Sequence, residues 1–169
     1  MPSTVAAIIE VETDNKARTQ MELRMLIKQH KGNVTPTNFL FQKKGRIAFE
    51  KDERNLTVDD VLEEAIEAGA EDVETDEDGS IVVWTDASST TSAIQALQKS
   101  LDLKLESSDI IWDSNEETRI HLLDEPAKAL SEFLDALDEN PQVQAVYANV
   151  AQGSLADDTW ETLASRLAA

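Results

Sequence analysis

Three acids alternate in the stretch EDVETDEDGSIVVWTD (71–86): Glu74, Asp76 and Asp78 run straight into Gly79. A calcium loop of the EF-hand type begins this way, because a hard divalent cation takes oxygens from alternate residues of a tight turn. That loop also needs a bidentate Glu at its twelfth position and a helix on each side. Counted from Glu74, the twelfth residue is Thr85, and Asp86 comes one residue late. The exit segment SIVVWT is β-branched and aromatic, which favours a strand. The stretch therefore reads as a hairpin tip, with Asp78-Gly79 as its turn and its acids in water.

Other chemistry-bearing patterns are sparse. His30 and His121 are the two histidines, and neither has a spacing that builds a ligand pair. His30 falls in the last turn of a helix, where a cation complements the dipole. Cysteine is absent, so there is no thiol chemistry and no cysteine-ligated zinc. No G-x-G-x-x-G or Walker A pattern occurs. No catalytic residue, metal or cofactor is implied, and an enzyme is the class least supported.

The basic residues carry more information. Arg18, Arg24, Lys28 and Lys31 lie along one helical segment and its end, and Lys43, Lys44 and Arg46 surround Gly45. Phe39 and Phe41 alternate just before that glycine. Aromatics and cations together can bind single-stranded RNA by stacking. No RNP-type motif is present, however, and the reading favoured here places both phenylalanines in the core. These seven cations are the candidate RNA or ribosome contacts.

Composition sets the frame. The chain has 169 residues, 34 acids, 15 Lys or Arg and a formal charge of −19. Such a polyanion repels phosphate backbones when taken whole. The charge is uneven, though: residues 1–49 hold eight Lys or Arg against four acids, and the rest hold seven against thirty. No window approaches the ~20 apolar residues of a membrane span. The first residues resemble neither a signal peptide nor a transit peptide.

The elements follow from periodicity. TVAAIIEVET (4–13) is a strand, and 16–30 is a helix with Thr19, Leu23, Leu26, Ile27 and His30 on one face, stopped by Gly32-Asn33. NFLFQ (38–42) and GRIAFE (45–50) read as two strands around a Lys43-Lys44-Gly45 break. Thr57 starts a helix with the stripe Val58, Val61, Leu62, Ala65 and Ile66. After the hairpin come a helix from Ser89 to Leu101, a strand over 103–112 interrupted near Ser107, the turn SNEE and a strand TRIHLL (118–123). Pro126 sits in the first turn of a helix reaching Asp138, with Leu130, Phe133, Leu134 and Leu137 inward. VQAVYANV (143–150) is the last strand, and DDTWETLASRL a short helix presenting Trp160, Leu163 and Leu167.

Residues 45–112 thus read β-α-β-β-α-β, the ferredoxin-like unit. Removing that block leaves β-α-β and β-α-β, the same motif again. The expectation is an α+β protein of two ferredoxin-like domains, one inserted into the other. The host takes 1–44 and 116–152, the insert 45–115, and 153–169 is a helical tail.

The segments TDNKARTQMELRMLIKQHKGN (13–33), FLFQKKGRIAFE (39–50), AGAEDVETDEDGSIVVWTD (68–86) and VQAVYANV (143–150) together resemble the YebC/TACO family. Departures are Lys16-Ala17 where a second Arg or Asn is usual, Lys31-Gly32 for two glycines, and Ala148 for a commoner His. The TPT before Asn38 and the KKGR segment look most like fungal mitochondrial members. The family's basic, helical first domain has no counterpart here, so the chain is expected to carry the second and third domains. The resemblance implies a non-enzymatic translational activator in the mitochondrial matrix. It would act with the mitochondrial ribosome or mRNA, chiefly through that first domain, on messages such as that for cytochrome c oxidase subunit I. A monomer is expected. The alternatives are a DNA-binding transcriptional regulator of the YebC type, or a regulatory module sensing a small ligand.

Overall fold

A computed structural model describes residues 1–168. In chain order its elements are β1 (Ala7–Val11), α1 (Lys16–Gln29), β2 (Phe41–Phe49), α2 (Val58–Glu67), β3 (Ala70–Thr75) and β4 (Ile81–Asp86). There follow α3 (Thr90–Leu101), β5 (Leu105–Ser114), β6 (Ile120–His121), α4 (Asp124–Asp138), β7 (Val143–Ala148), β8 (Val150–Ala151) and α5 (Asp157–Ala164). The fold is α+β, with ferredoxin-like domains. Two compact units emerge: Met1–Gln42 with Trp112 onward, and Lys43–Ile111. The chain crosses between them within β2 and returns within β5.

The second unit has the sheet order β3-β4-β2-β5, and β4 pairs antiparallel with both neighbours. Ile47, Phe49, Val83 and Val73 meet Val61 and Ala65 of α2 and Ala93 and Leu97 of α3 in one core. Full burial of the valine, isoleucine, leucine and phenylalanine side chains among them stabilises by about 1.5–3 kcal/mol each relative to exposure. Leu62 and Ile66, expected in the α2 stripe, are instead 38% and 61% exposed, since Val61 and Ala65, with Val58 half-buried beside them, are the α2 side chains that meet this core. A capping box starts α2: the Thr57 N–H donates to Asp60 Oδ2 at 2.8 Å, and the Asp60 N–H donates to Thr57 Oγ1 at 3.4 Å. The donors on Thr57, the backbone N–H first, hold the Asp60 carboxyl below its ordinary value.

The expected break at Lys43-Lys44-Gly45 does not occur. A short 3₁₀ turn covers Asn38–Leu40, and a single strand then runs from Phe41 to Phe49. Gly45 is a packing residue rather than a turn residue. It is buried, pairs with Thr85, and a Cβ there would lie 2.0 Å from Thr90 Oγ1. Similarly, β5 is unbroken at Ser107. The opening stretch is the β3–β4 hairpin. Asp76 Oδ1 accepts the N–H groups of Asp78 and Ser80 at 3.0 and 2.8 Å, and Gly79 takes φ 80. Strand β4 leaves the turn where an EF-hand would place a helix.

In the first unit, Leu130, Phe133, Leu134 and Leu137 of α4 pack with Leu122, Val146 and Val150, against Leu23, Leu26 and Ile27 of α1. His30 meets Phe133 edge-on, with ring centroids 5.6 Å apart. β1 pairs antiparallel with β7, and β6 pairs parallel with β8. The expected strand 118–123 shrinks to Ile120–His121, because Glu116–Thr118 forms a 3₁₀ turn. The expected strand 143–150 divides at Asn149, which is 2% exposed. Its side chain does the ladder's work there: Oδ1 accepts the Ala6 N–H at 2.7 Å, and Nδ2 donates to the Thr118 carbonyl at 3.0 Å. The segment read as a tail belongs to this core through Leu155 and Leu163, with Trp160 and Leu167 packed alongside. Arg166 fastens it to α4 through Asp135 at 2.6 Å and Asp138 at 3.0 Å.

Candidate nucleic-acid interface

Five cations of the first unit lie between Lys16 and Lys31, and α1 positions them all. The helix starts where Asn15 Oδ1 accepts the Arg18 N–H at 3.1 Å. Its apolar side is spent on the core, so Arg18, Arg24 and Lys28 are left exposed. Arg18 pairs with Glu22 at 2.9 Å; that hydrogen bond and charge raise its guanidinium further above its ordinary value. An exposed pair of this kind contributes little to stability. Lys31 ends the helix in the left-handed conformation, φ 60, so the stop expected at Gly32-Asn33 begins one residue earlier. The Gly32 N–H still donates to the Ile27 carbonyl at 2.8 Å, closing the helix in the usual left-handed way.

Arg24 and Lys31 stand at a groove of about 600 Å³ within the first unit. Val5, Leu23, Ile27 and Phe133 form its apolar floor, and Asn33, Thr35 and Thr37 bring neutral hydrogen-bonding groups to its wall. No lining residue is Asp or Glu, in a chain with 34 acids among 169 residues. Phe39 also lines it and is 71% exposed. The expectation that both phenylalanines are core is therefore half right: Phe41 is 6% exposed. The 3₁₀ turn at Asn38–Leu40 breaks the two-residue alternation and turns Phe39 away. The proline and threonines just before Asn38 were the sequence signal for such a turn.

Lys43, Lys44 and Arg46 lie in the second unit, on β2. Lys44 is 3.9 Å from Glu71, and Arg46 stands 6.0 Å over the Trp84 ring. The Trp84 indole N–H donates to Glu74 at 2.9 Å. Carboxylates thus sit among these cations, in contrast to the groove. The seven predicted residues divide four and three between the units. No group of three His, Asp or Glu among the described residues is placed to hold a metal ion. None of the described helices is long and apolar enough to cross a membrane.

The family described as TACO1/YebC second and third domain matches residues 1–150. The chain belongs to the TACO1/YebC family. A probable transcriptional regulatory protein from Nitrosococcus oceani is 38% identical over 151 residues, spanning 88% of this chain and 58% of its own length. One of the same description from Desulforamulus reducens is 32% identical, spanning 88% and 61%. The crystal structure of a conserved hypothetical protein from Aquifex aeolicus matches with a TM-score of 0.64 and 30% identity, covering 90% of this chain and 63% of that one. The chain thus spans less than two thirds of each of these three proteins, and the names of the first two describe regulation and no enzymatic reaction.

Proposed function

We propose that this chain forms two domains of a non-enzymatic TACO1/YebC-family translational activator. It would work in the mitochondrial matrix with the ribosome on particular messages such as that for cytochrome c oxidase subunit I. The observation that carries the reading is the groove beside α1, whose lining has no acid and holds Arg24 and Lys31, in an otherwise anionic chain. Uniform acidity would keep phosphates away, so a local exception is where a polyphosphate partner can approach. The mitochondrial part rests on the resemblance of the TPT and KKGR segments to fungal members.

Co-sedimentation of the protein with mitochondrial ribosomes tests this. Charge reversal at Arg24 and Lys28, and separately at Lys43, Lys44 and Arg46, should lower the ribosomal fraction. Unchanged sedimentation in both variants would refute it. The bacterial relatives' names favour a second reading, DNA-binding transcriptional regulation. Salt-sensitive gel shifts with duplex DNA would support that reading instead, with log K falling linearly in log salt.

A further inference from the structure

We propose that the first-unit groove takes a single-stranded nucleic-acid segment, with one unpaired base stacked on Phe39 and the flanking phosphates at Arg24 and Lys31. This rests on the nucleic-acid reading above and names the form of nucleic acid it requires.

Phe39 is held out by the backbone rather than left loose. The Asn115 N–H donates to the Leu40 carbonyl at 3.0 Å, and Asn115 Nδ2 donates to the Phe39 carbonyl at 3.3 Å. The Leu40 N–H closes the turn on the Thr37 carbonyl at 3.0 Å. A ring 71% exposed on so tethered a turn leaves its face to water and has little freedom to lose on stacking.

The electrostatics choose the partner. Both charged residues of the groove's lining are cations, and the floor is apolar with neutral amide and hydroxyl groups beside it. That is the composition that seats a base and tracks a backbone. About 600 Å³ lies within the usual range for small-molecule sites and exceeds what one base fills. A duplex fits poorly. Its bases are already stacked and cannot use Phe39, and its charge density, about one per 1.7 Å, meets the full repulsion of a −19 chain.

The test is fluorescence anisotropy of a labelled single-stranded RNA of about twelve nucleotides with the whole chain at about 50 mM salt. Phe39→Ala should weaken binding at least about fivefold, Phe39→Trp should preserve or tighten it, and the same-length duplex should bind less well. The exposure of Phe39 predicts an unchanged melting temperature for both variants. Equal affinity in Phe39→Ala would overturn the stacking assignment, and a mononucleotide binding as tightly as the oligomer would overturn the flanking-phosphate contacts. So would absence of oligonucleotide binding while ribosome co-sedimentation still depends on Arg24 and Lys28; that outcome leaves the translational reading standing. Loss of co-sedimentation dependence together with Phe39-sensitive RNA binding would do the reverse.

Discussion

Replacing Lys31 with glycine separates strain from binding in one substitution. At φ 60 the lysine Cβ crowds its own backbone, a conformation costing an L-residue about 1–2 kcal/mol. Glycine relieves that crowding but gives the unfolded chain more freedom, worth about 0.4–1 kcal/mol in the other direction. The backbone bonds that close α1, Lys31 N–H to the Lys28 carbonyl and Gly32 N–H to the Ile27 carbonyl, survive the change. The net expectation is a gain of about 0.5–1 kcal/mol, a rise in melting temperature of about 2–6 °C for a unit of this size. Binding should move the opposite way. One phosphate contact to a single strand contributes a slope of about 0.7 in log K against log salt, so losing it costs about fivefold near 0.1 M. Thermal melts and an RNA anisotropy titration over several salt concentrations read both quantities. A lower melting temperature would refute the strain argument. An unchanged salt slope would refute the role given to Lys31 in the groove.

Asn149→Leu leaves the Ala6 N–H and the Thr118 carbonyl without their partners, and should destabilise the first unit by about 2–4 kcal/mol in chemical denaturation. Gly45→Ala puts a methyl 2.0 Å from Thr90 Oγ1 and 2.6 Å from Thr85 Oγ1; the cost should be about 1–3 kcal/mol, read from hydrogen exchange in β2 and α3. The Asp60 carboxyl is depressed by its donors, so its contribution is complete above the unfolded carboxylate value, about pH 4, and is lost as pH falls through the folded value. Wild type should therefore lose stability over that acid window more steeply than Asp60→Asn, and parallel curves would remove Asp60 from the account.

The helices were legible because each carries its own instructions. Asn15 caps α1, Thr57 and Asp60 box α2, and Leu130, Phe133, Leu134 and Leu137 recur at the helical period in α4. The β3–β4 hairpin was legible for the same reason, since its Asp-Gly turn and β-branched strand are local signals. Where the reading failed, the deciding contact came from far along the chain. Gly45 looked like a break, but Thr90 needs the space its missing Cβ leaves. The last strand looked continuous, but Asn149 spends its amide on Ala6 and Thr118.

The candidate site divides in the same way. Sequence alone determined that the cations concentrate before residue 50, that α1 carries three of the seven named with Lys31 just past its end, and that the chain resembles the TACO1/YebC family. Only the tertiary structure decided that Phe39 is exposed while Phe41 is buried, and that the groove beside Arg24 and Lys31 has no acid in its lining. Composition counts charges along the chain, whereas a binding surface depends on which charges share a wall. That is set by long-range packing, here an Asn115 held 76 positions from the phenylalanine it steadies.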